Sequence, residues 1–261
     1  MQAVLTTNYV PGVPSWVDLG SPDVARAAEH YRGVFGWTFH PLGPHAGEYG
    51  VFRHDGRTVA AAGPLTGDDA RSAWTVYFQT ADADTTAAAV AEAGGEVRVD
   101  PFDVFTNGRM AQLTDPGGAD FAIWQPGDTA GLDEVTGPGS LGWVELQTPD
   151  PAGVHDFYRA VFGWTVTTVP ADADDGAYTV FTPEDGDEST SFGGVADLQE
   201  GERAHWLPYF EVADTDAAVS RNAALGGRAV LPTADLAGVG RMAWLEDPFG
   251  ARCAVITSSP A

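Results

Sequence analysis

Apolar positions follow two different spacings along this chain, and together they predict a mixed α+β protein. Between residues 24 and 35 they recur every three or four positions, which predicts an amphipathic helix ending at Gly36. A second helix is predicted over residues 82–93. Short runs rich in aromatic and β-branched residues, such as 13–20 and 74–80, are typical of strands. The first half of the chain is therefore predicted as strand, helix and three strands, occurring twice.

The second half of the chain repeats the first. The pattern Trp-Val-acidic-Leu, the tripeptide Phe-Gly-Trp and an Asp-Pro turn each return at a nearly constant offset. Their positions are 16–19 and 143–146, 35–37 and 162–164, and 115–116 and 247–248. A constant offset that shifts only once indicates a duplicated domain with one change of loop length. We expect domains at 1–126 and 140–261, joined by a linker at 127–139 that is rich in Gly and Asp.

These motifs, in this order, resemble the vicinal oxygen chelate superfamily, which includes glyoxalases, bleomycin-resistance proteins and extradiol dioxygenases. The resemblance covers nearly the whole chain. It implies two tandem domains, each built from two βαβββ modules with curved mixed sheets. The tandem form is also similar to a group labelled as glyoxalases or hydroxylases, some of them near antibiotic-biosynthesis pathways.

Composition excludes several classes of function. The chain has 261 residues, 44% of them hydrophobic, which is enough for a core. Its net charge is −24 and every basic residue is Arg, which excludes Schiff-base lysine chemistry and argues against nucleic-acid binding. No apolar run is long enough to span a bilayer, and the first residues do not resemble a signal peptide. We therefore expect a cytoplasmic protein with no membrane partner.

The resemblance also implies where a metal ion would bind. Metal-dependent members use a His on the first strand, a His or Glu on the fifth and a Glu on the eighth. The corresponding positions here are Trp16, Thr75 and Ala122 in the first copy, and Trp143, Leu207 and Ala254 in the second. None of these residues is a good metal ligand. We therefore expect no metal and no cofactor, and metal-dependent glyoxalase or dioxygenase chemistry is disfavoured.

Strand alternation predicts what lines each cavity instead. Residues two apart share a face of a strand, so Val17 and Leu19 face the helices while their neighbours face the cavity. The first cavity is predicted to contain Trp16, Asp18, Tyr77, Gln79, Asp120 and Trp124. The second is predicted to contain Trp143, Glu145, His205, Tyr209, Glu211 and Arg252. Aromatic walls with a few polar groups are typical of small-molecule sites, although single aromatic residues also pack on sheet faces.

The carboxylates in the second cavity leave two interpretations open. Glu145 and Glu211 either pair with Arg252 in a structural network, or line a wet cleft where one transfers protons. Only this cavity combines carboxylates with a predicted cation. It is therefore predicted to be the more reactive of the two, with the first cavity structural or apolar. His30, on the first helix, is predicted to be exposed.

Two functional hypotheses follow. The first is a metal-independent protein, monomer or homodimer, that binds an apolar or aromatic metabolite for sequestration or for use in a biosynthetic pathway. The second is a lyase, isomerase or hydroxylase-like enzyme acting on a small carbonyl or polyketide-type substrate. In that hypothesis Glu145 or Glu211 transfers the proton, and His205 and Tyr209 polarise the substrate. Turnover distinguishes the two, and the sequence does not identify the ligand.

Overall fold

A computed structural model describes residues 5–65, 70–170, 177–199 and 201–259. It contains two eight-stranded mixed sheets and four α-helices among these residues, which confirms the α+β class. Each sheet is curved and open, and each is made from one copy of the repeat. The two βαβββ modules expected in each copy are present.

The first copy begins with the module β1-α1-β2-β3-β4 and continues with β5-α2-β6-β7-β8. Its elements are β1 (Pro14–Ser21), α1 (Val24–Phe35), β2 (Thr38–Pro41), β3 (Gly50–His54), β4 (Arg57–Pro64), β5 (Ala73–Gln79), α2 (Ala83–Glu92), β6 (Glu96–Val104), β7 (Gly108–Thr114) and β8 (Asp120–Pro126). Helix α1 begins where the Asp23 carboxylate accepts a hydrogen bond from the Arg26 amide, and ends where Gly36 takes a left-handed conformation.

The second copy repeats this order. Its elements are β9 (Leu141–Thr148), α3 (Val154–Phe162), β10 (Thr165–Pro170), β11 (Ala177–Thr182), β12 (Gly193–Asp197), β13 (His205–Glu211), α4 (Thr215–Ala224), β14 (Arg228–Leu236), β15 (Gly240–Glu246) and β16 (Arg252–Ser258). The strand orders are β2-β3-β4-β1-β5-β8-β7-β6 and β10-β11-β12-β9-β13-β16-β15-β14. The first and fifth strands of each copy therefore lie side by side at the centre of its sheet.

The convex faces of the two sheets share one hydrophobic core. Helix α1 packs against α4 of the other copy, and α2 packs against α3. Phe78 on β5 contacts the second-copy rings of Phe162, Trp164 and Trp206. Its counterpart Phe210 contacts the first-copy rings of Phe35, Trp37 and Trp74. Each copy thus completes the core of the other, and the predicted inward orientation of Val17 and Leu19 is confirmed.

Two buried hydrogen bonds cross between the copies at equivalent positions. The Tyr31 hydroxyl donates to Asp247 Oδ2 at 3.2 Å, and the Tyr158 hydroxyl donates to Asp115 Oδ2 at 2.9 Å. Each tyrosine oxygen also accepts a hydrogen bond from an indole, Trp74 Nε1 at 3.2 Å and Trp206 Nε1 at 3.0 Å. These contacts fix the relative position of the two sheets.

We expect Tyr31→Phe to lower the free energy of unfolding by about 1 to 2 kcal/mol, because it leaves a buried carboxylate oxygen and an indole N–H without a partner. Tyr158→Phe should have a similar effect through the equivalent contacts. Urea denaturation measures both changes. Tyr9→Phe is the control, since the Tyr9 hydroxyl bonds a backbone carbonyl in a half-buried position. A Tyr31→Phe protein as stable as the wild type would contradict this role.

The structure also corrects one expectation. His30 is buried, not exposed, because the face of α1 that carries it lies against α4. The segment that links the two sheets packs along the first copy. Its Leu132 and Asp133 amides donate hydrogen bonds to the carbonyls of Ser15 and Thr58.

Candidate functional site

A half-buried carboxylate lies near the centre of the concave face of the first sheet. Asp18, on β1, accepts hydrogen bonds at Oδ2 from the Tyr77 hydroxyl at 2.8 Å and the Tyr49 hydroxyl at 3.2 Å. The Tyr49 oxygen in turn accepts a hydrogen bond from Trp16 Nε1 at 3.1 Å. Burial raises the pKa of Asp18 from 3.8 to about 6, and the two tyrosine hydrogen bonds partly oppose this rise.

The second sheet holds an equivalent group around Glu145. Its Oε2 accepts from the Tyr178 hydroxyl at 2.7 Å, and its Oε1 accepts from the Tyr209 hydroxyl at 2.9 Å and Gln147 Nε2 at 2.5 Å. Trp143 Nε1 donates to the Tyr178 oxygen at 3.2 Å. Burial raises the pKa of Glu145, against the lowering effect of these hydrogen bonds. Both sheets therefore present the same arrangement of Trp, Tyr, carboxylate and Tyr.

The sequence patterns did not indicate four members of these groups, namely Tyr49, Gln147, Tyr178 and Trp244. Trp244 Nε1 donates to the Tyr209 hydroxyl at 3.1 Å. Two glycines could have indicated the tyrosines, because Gly63 on β4 lies against Tyr49 and Gly194 on β12 lies against Tyr178. A side chain at Gly63 would meet the Tyr49 ring at 2.7 Å, and one at Gly194 would also overlap Tyr178. Glycine at these positions leaves room for the rings.

One of the two interpretations left open, a structural network of Glu145, Glu211 and Arg252, is wrong. Arg252 pairs instead with Glu202 and with Glu246, whose Oε2 lies 3.0 Å from Arg252 Nε. Glu211 accepts hydrogen bonds from the hydroxyl and the amide of Ser258, at the far end of β13. Arg252 therefore does not neutralise either proposed catalytic glutamate.

His205 lies at the start of β13, away from the Tyr209 hydroxyl. Its Nδ1 is 2.9 Å from the Arg203 carbonyl, and its buried Nε2 has no partner among the described residues. Burial lowers the pKa of His205, which favours the neutral ring. The Tyr209 hydroxyl bonds Glu145 and Trp244 instead, so the structure does not bring His205 and Tyr209 together as a pair.

The first cavity also differs from expectation at its edge. Asp120 is exposed and pairs with Arg98 at 3.1 Å, so a cation that the sequence had not indicated lies beside this cavity. The argument that only the second cavity combines carboxylates with a cation is therefore wrong. Trp124 packs on the concave face with Tyr77 and Met110, and Gln79 is buried beside it in the strand pairing.

A separate hollow of about 370 Å³ lies between the copies, around the end of α1 and the start of the second sheet. Its lining includes Arg32, His54 and Arg221, and none of the predicted site residues.

Comparison with known proteins identifies the family. Residues 14–123 match the glyoxalase/bleomycin resistance protein/dioxygenase superfamily, and residues 143–256 match the glyoxalase-like domain. The chain is 43% identical over 268 aligned residues to the anthracycline biosynthesis protein DauV of Streptomyces sp. strain C5, covering 96% of this chain and 94% of that protein.

The chain belongs to the glyoxalase/bleomycin resistance protein/dioxygenase superfamily. Among its relatives is also the anthracycline biosynthesis protein DnrV of Streptomyces peucetius, with the same identity and coverage. The Mn(II)-bound glyoxalase of Novosphingobium aromaticivorans has a similar fold, with a TM-score of 0.65 at 15% identity, covering 95% of this chain and 83% of that one. Among the described residues, no helix is long and apolar enough to cross a membrane.

The residues at the superfamily's metal positions do not fit a metal ion. Trp16 and Trp143 carry a proton on the indole nitrogen and donate it to tyrosine oxygens. Ala122, Leu207 and Ala254 are fully buried and have no ligand atom, and Thr75 offers only a neutral hydroxyl. Over the described ranges, no three His, Cys, Asp or Glu side chains converge in a way that could hold a metal. A Trp-Tyr-carboxylate-Tyr group occupies each concave face instead.

Proposed function

We propose that this protein binds a small, largely aromatic metabolite on the concave face of one or both sheets, without a metal ion. The observation that carries the proposal is the Trp-Tyr-carboxylate-Tyr group in each sheet. It combines aromatic surface with a single polar anchor, which is the usual composition of a small-molecule site. Binding would serve sequestration or delivery within a biosynthetic pathway.

Similarity to DauV and DnrV supports the second of these roles. Both relatives are named for anthracycline biosynthesis, and the similarity extends over both copies of the repeat. Anthracyclines are polycyclic aromatic compounds, so a fused-ring aromatic metabolite is the class of ligand that we favour. A flat ring system fits against tryptophan and tyrosine side chains through apolar contact and stacking.

The alternative is a lyase, isomerase or hydroxylase-like enzyme in which Glu145 transfers a proton. The raised pKa of this buried carboxyl supports that hypothesis. The separation of Glu211 and His205 from Glu145 removes the partners that the sequence suggested for it. Product formation from a bound ligand, lost in Glu145→Gln, would favour the enzyme over the binding protein.

The metal-independent proposal predicts that chelation leaves ligand binding unchanged. Quenching of tryptophan fluorescence by 1,4-dihydroxyanthraquinone should give the same dissociation constant, within about twofold, before and after exhaustive treatment with EDTA. Elemental analysis of the gently purified protein is the control. One equivalent of tightly bound transition metal per chain, or loss of binding that added metal restores, would contradict the proposal.

A further inference from the structure

The two concave faces differ most at one position of the central row. In the first sheet, strand pairing aligns Trp16, Tyr77, Ala122 and Gln112 across four neighbouring strands. In the second sheet, the same pairing aligns Trp143, Tyr209, Ala254 and Trp244. The small Ala side chain in each row is fully buried by its neighbours, and the two rows differ at the next residue, on β7 or β15.

In the second sheet Trp244 occupies this position and covers Ala254. Its indole is buried, packs with Leu207, Tyr209 and Ala254, and donates its N–H to the Tyr209 hydroxyl. Gln112, the corresponding residue in the first sheet, is only half-buried and has a smaller, flexible side chain. The first sheet therefore has no indole at this row position, and the indole on its concave face is that of Trp124, which packs with Tyr77 and Ala122 from β8.

The carboxylates of the two sheets also differ, because Asp18 is more exposed and accepts fewer hydrogen bonds than Glu145. Both oxygens of Glu145 accept hydrogen bonds, and its residue exposure is only 7%. In Asp18 both tyrosine hydroxyls share Oδ2. Among the described residues nothing donates to Oδ1, which is nevertheless not fully buried. Asp18 is half-buried and one of its two carboxylate oxygens has no donor among the described residues, whereas Glu145 is buried and both of its oxygens already accept hydrogen bonds.

We infer that the first sheet is the ligand-binding sheet, that Asp18 Oδ1 selects an aromatic ligand carrying a hydrogen-bond donor, and that Trp244 closes the second sheet. This inference rests on the proposed function and specifies its site and ligand chemistry. A hydroxyl or an ammonium group satisfies the free oxygen. An anionic ligand is disfavoured beside the carboxylate and by the net charge of −24.

Three matched probes test the donor requirement, namely 2-naphthol, 2-(aminomethyl)naphthalene and 2-methoxynaphthalene. Titration calorimetry at pH 7.5 should show the hydroxyl and ammonium probes binding at least about tenfold more tightly than the methyl ether, because a charge-assisted hydrogen bond is lost in the ether. The relative affinities of 2-naphthol and 2-(aminomethyl)naphthalene show whether the site prefers a hydroxyl or an ammonium donor.

Asp18→Asn should abolish this preference. The two tyrosine hydroxyls will keep the side-chain oxygen of Asn as their acceptor, which places the NH2 group at the free position. That group cannot accept a hydrogen bond from the ligand, so the donor probes should lose about tenfold in affinity relative to the ether.

Substitutions that exchange the residue types at positions 112 and 244 show which sheet binds the ligand. Gln112→Trp should weaken the binding of the donor probes at least about tenfold, and Trp244→Gln should leave binding to the first sheet within about twofold. Thermal unfolding confirms that each variant is folded. If Gln112→Trp does not fold, Gln112→Phe tests the same position with a smaller ring. The Asp18→Asn comparison does not depend on either substitution of Gln112.

Each remaining outcome has a separate meaning. Equal affinities for the three probes would leave the proposed function standing and overturn the role of Asp18. Loss of binding in Trp244→Gln but not in Gln112→Trp would overturn the assignment to the first sheet. Failure of every probe to bind the wild type would contradict the proposed function itself.

Discussion

Trp164→Ala is expected to lower the free energy of unfolding by about 3 to 5 kcal/mol, a large part of the stability of a typical protein. The side chain is fully buried and stacks on Tyr158 with a centroid distance of 4.6 Å. It also contacts Phe78 of the first copy, and its Nε1 donates to the Gly12 carbonyl at 2.9 Å. The substitution removes this packing and leaves a buried carbonyl without its donor.

Chemical denaturation followed by circular dichroism measures the change. Trp164→Phe should lose less, because a ring remains in the core while the hydrogen bond to Gly12 is lost. Phe105→Ala is the matched surface control, since that ring is 67% exposed and should change stability by less than about 0.5 kcal/mol. A loss below about 1 kcal/mol for Trp164→Ala would show that this ring does not hold the two copies together.

Asp18→Asn is expected to remove a pH dependence of stability worth about 2 to 3 kcal/mol, because a pKa difference of one between the folded and unfolded states corresponds to about 1.4 kcal/mol. The pKa of Asp18 is about 6 in the folded protein and 3.8 when unperturbed. A group whose pKa is raised by folding contributes stability that is fully present below the unfolded pKa and lost as the pH rises through the folded pKa.

The measurement compares the free energies of unfolding of wild type and Asp18→Asn at intervals from pH 4 to pH 7.5. The wild type should lose stability relative to the variant across this range, with the change centred between pH 4 and 6. Tyr77→Phe is the matched variant, because removing one hydrogen bond to the carboxylate should raise the pKa of Asp18 and extend the loss to higher pH. A constant difference between wild type and Asp18→Asn would mean that this carboxyl is not desolvated.

Much of the fold follows from patterns within single elements. Alternation on β1 places Val17 and Leu19 in the core, and Trp16 and Asp18 on the opposite face. The repeat fixes the order of the elements, because the same apolar spacing and the same Phe-Gly-Trp helix end occur twice. These features depend on residues close in sequence, and local geometry decides them.

The contacts of the site depend on residues far apart in sequence. Tyr49 and Tyr178 lie in the part of the repeat where the offset between the copies changes, so alignment of the copies does not pair them. Arg252 pairs with Glu202, which lies in a turn before β13, and strand alternation does not predict the position of such a residue. His30 is buried by a helix of the other copy, and no pattern within α1 indicates that partner.

The shared core has less freedom to evolve than the concave faces of the two sheets. A change at Phe78 or Phe210 must suit aromatic rings contributed by the other copy, so a duplicated gene accepts few substitutions there. A change on a concave face is tested only against the same sheet. After duplication, Gln112 and Trp244 could therefore become different without disturbing the union of the copies. The architecture allows one half to acquire a new ligand while the other half preserves the scaffold.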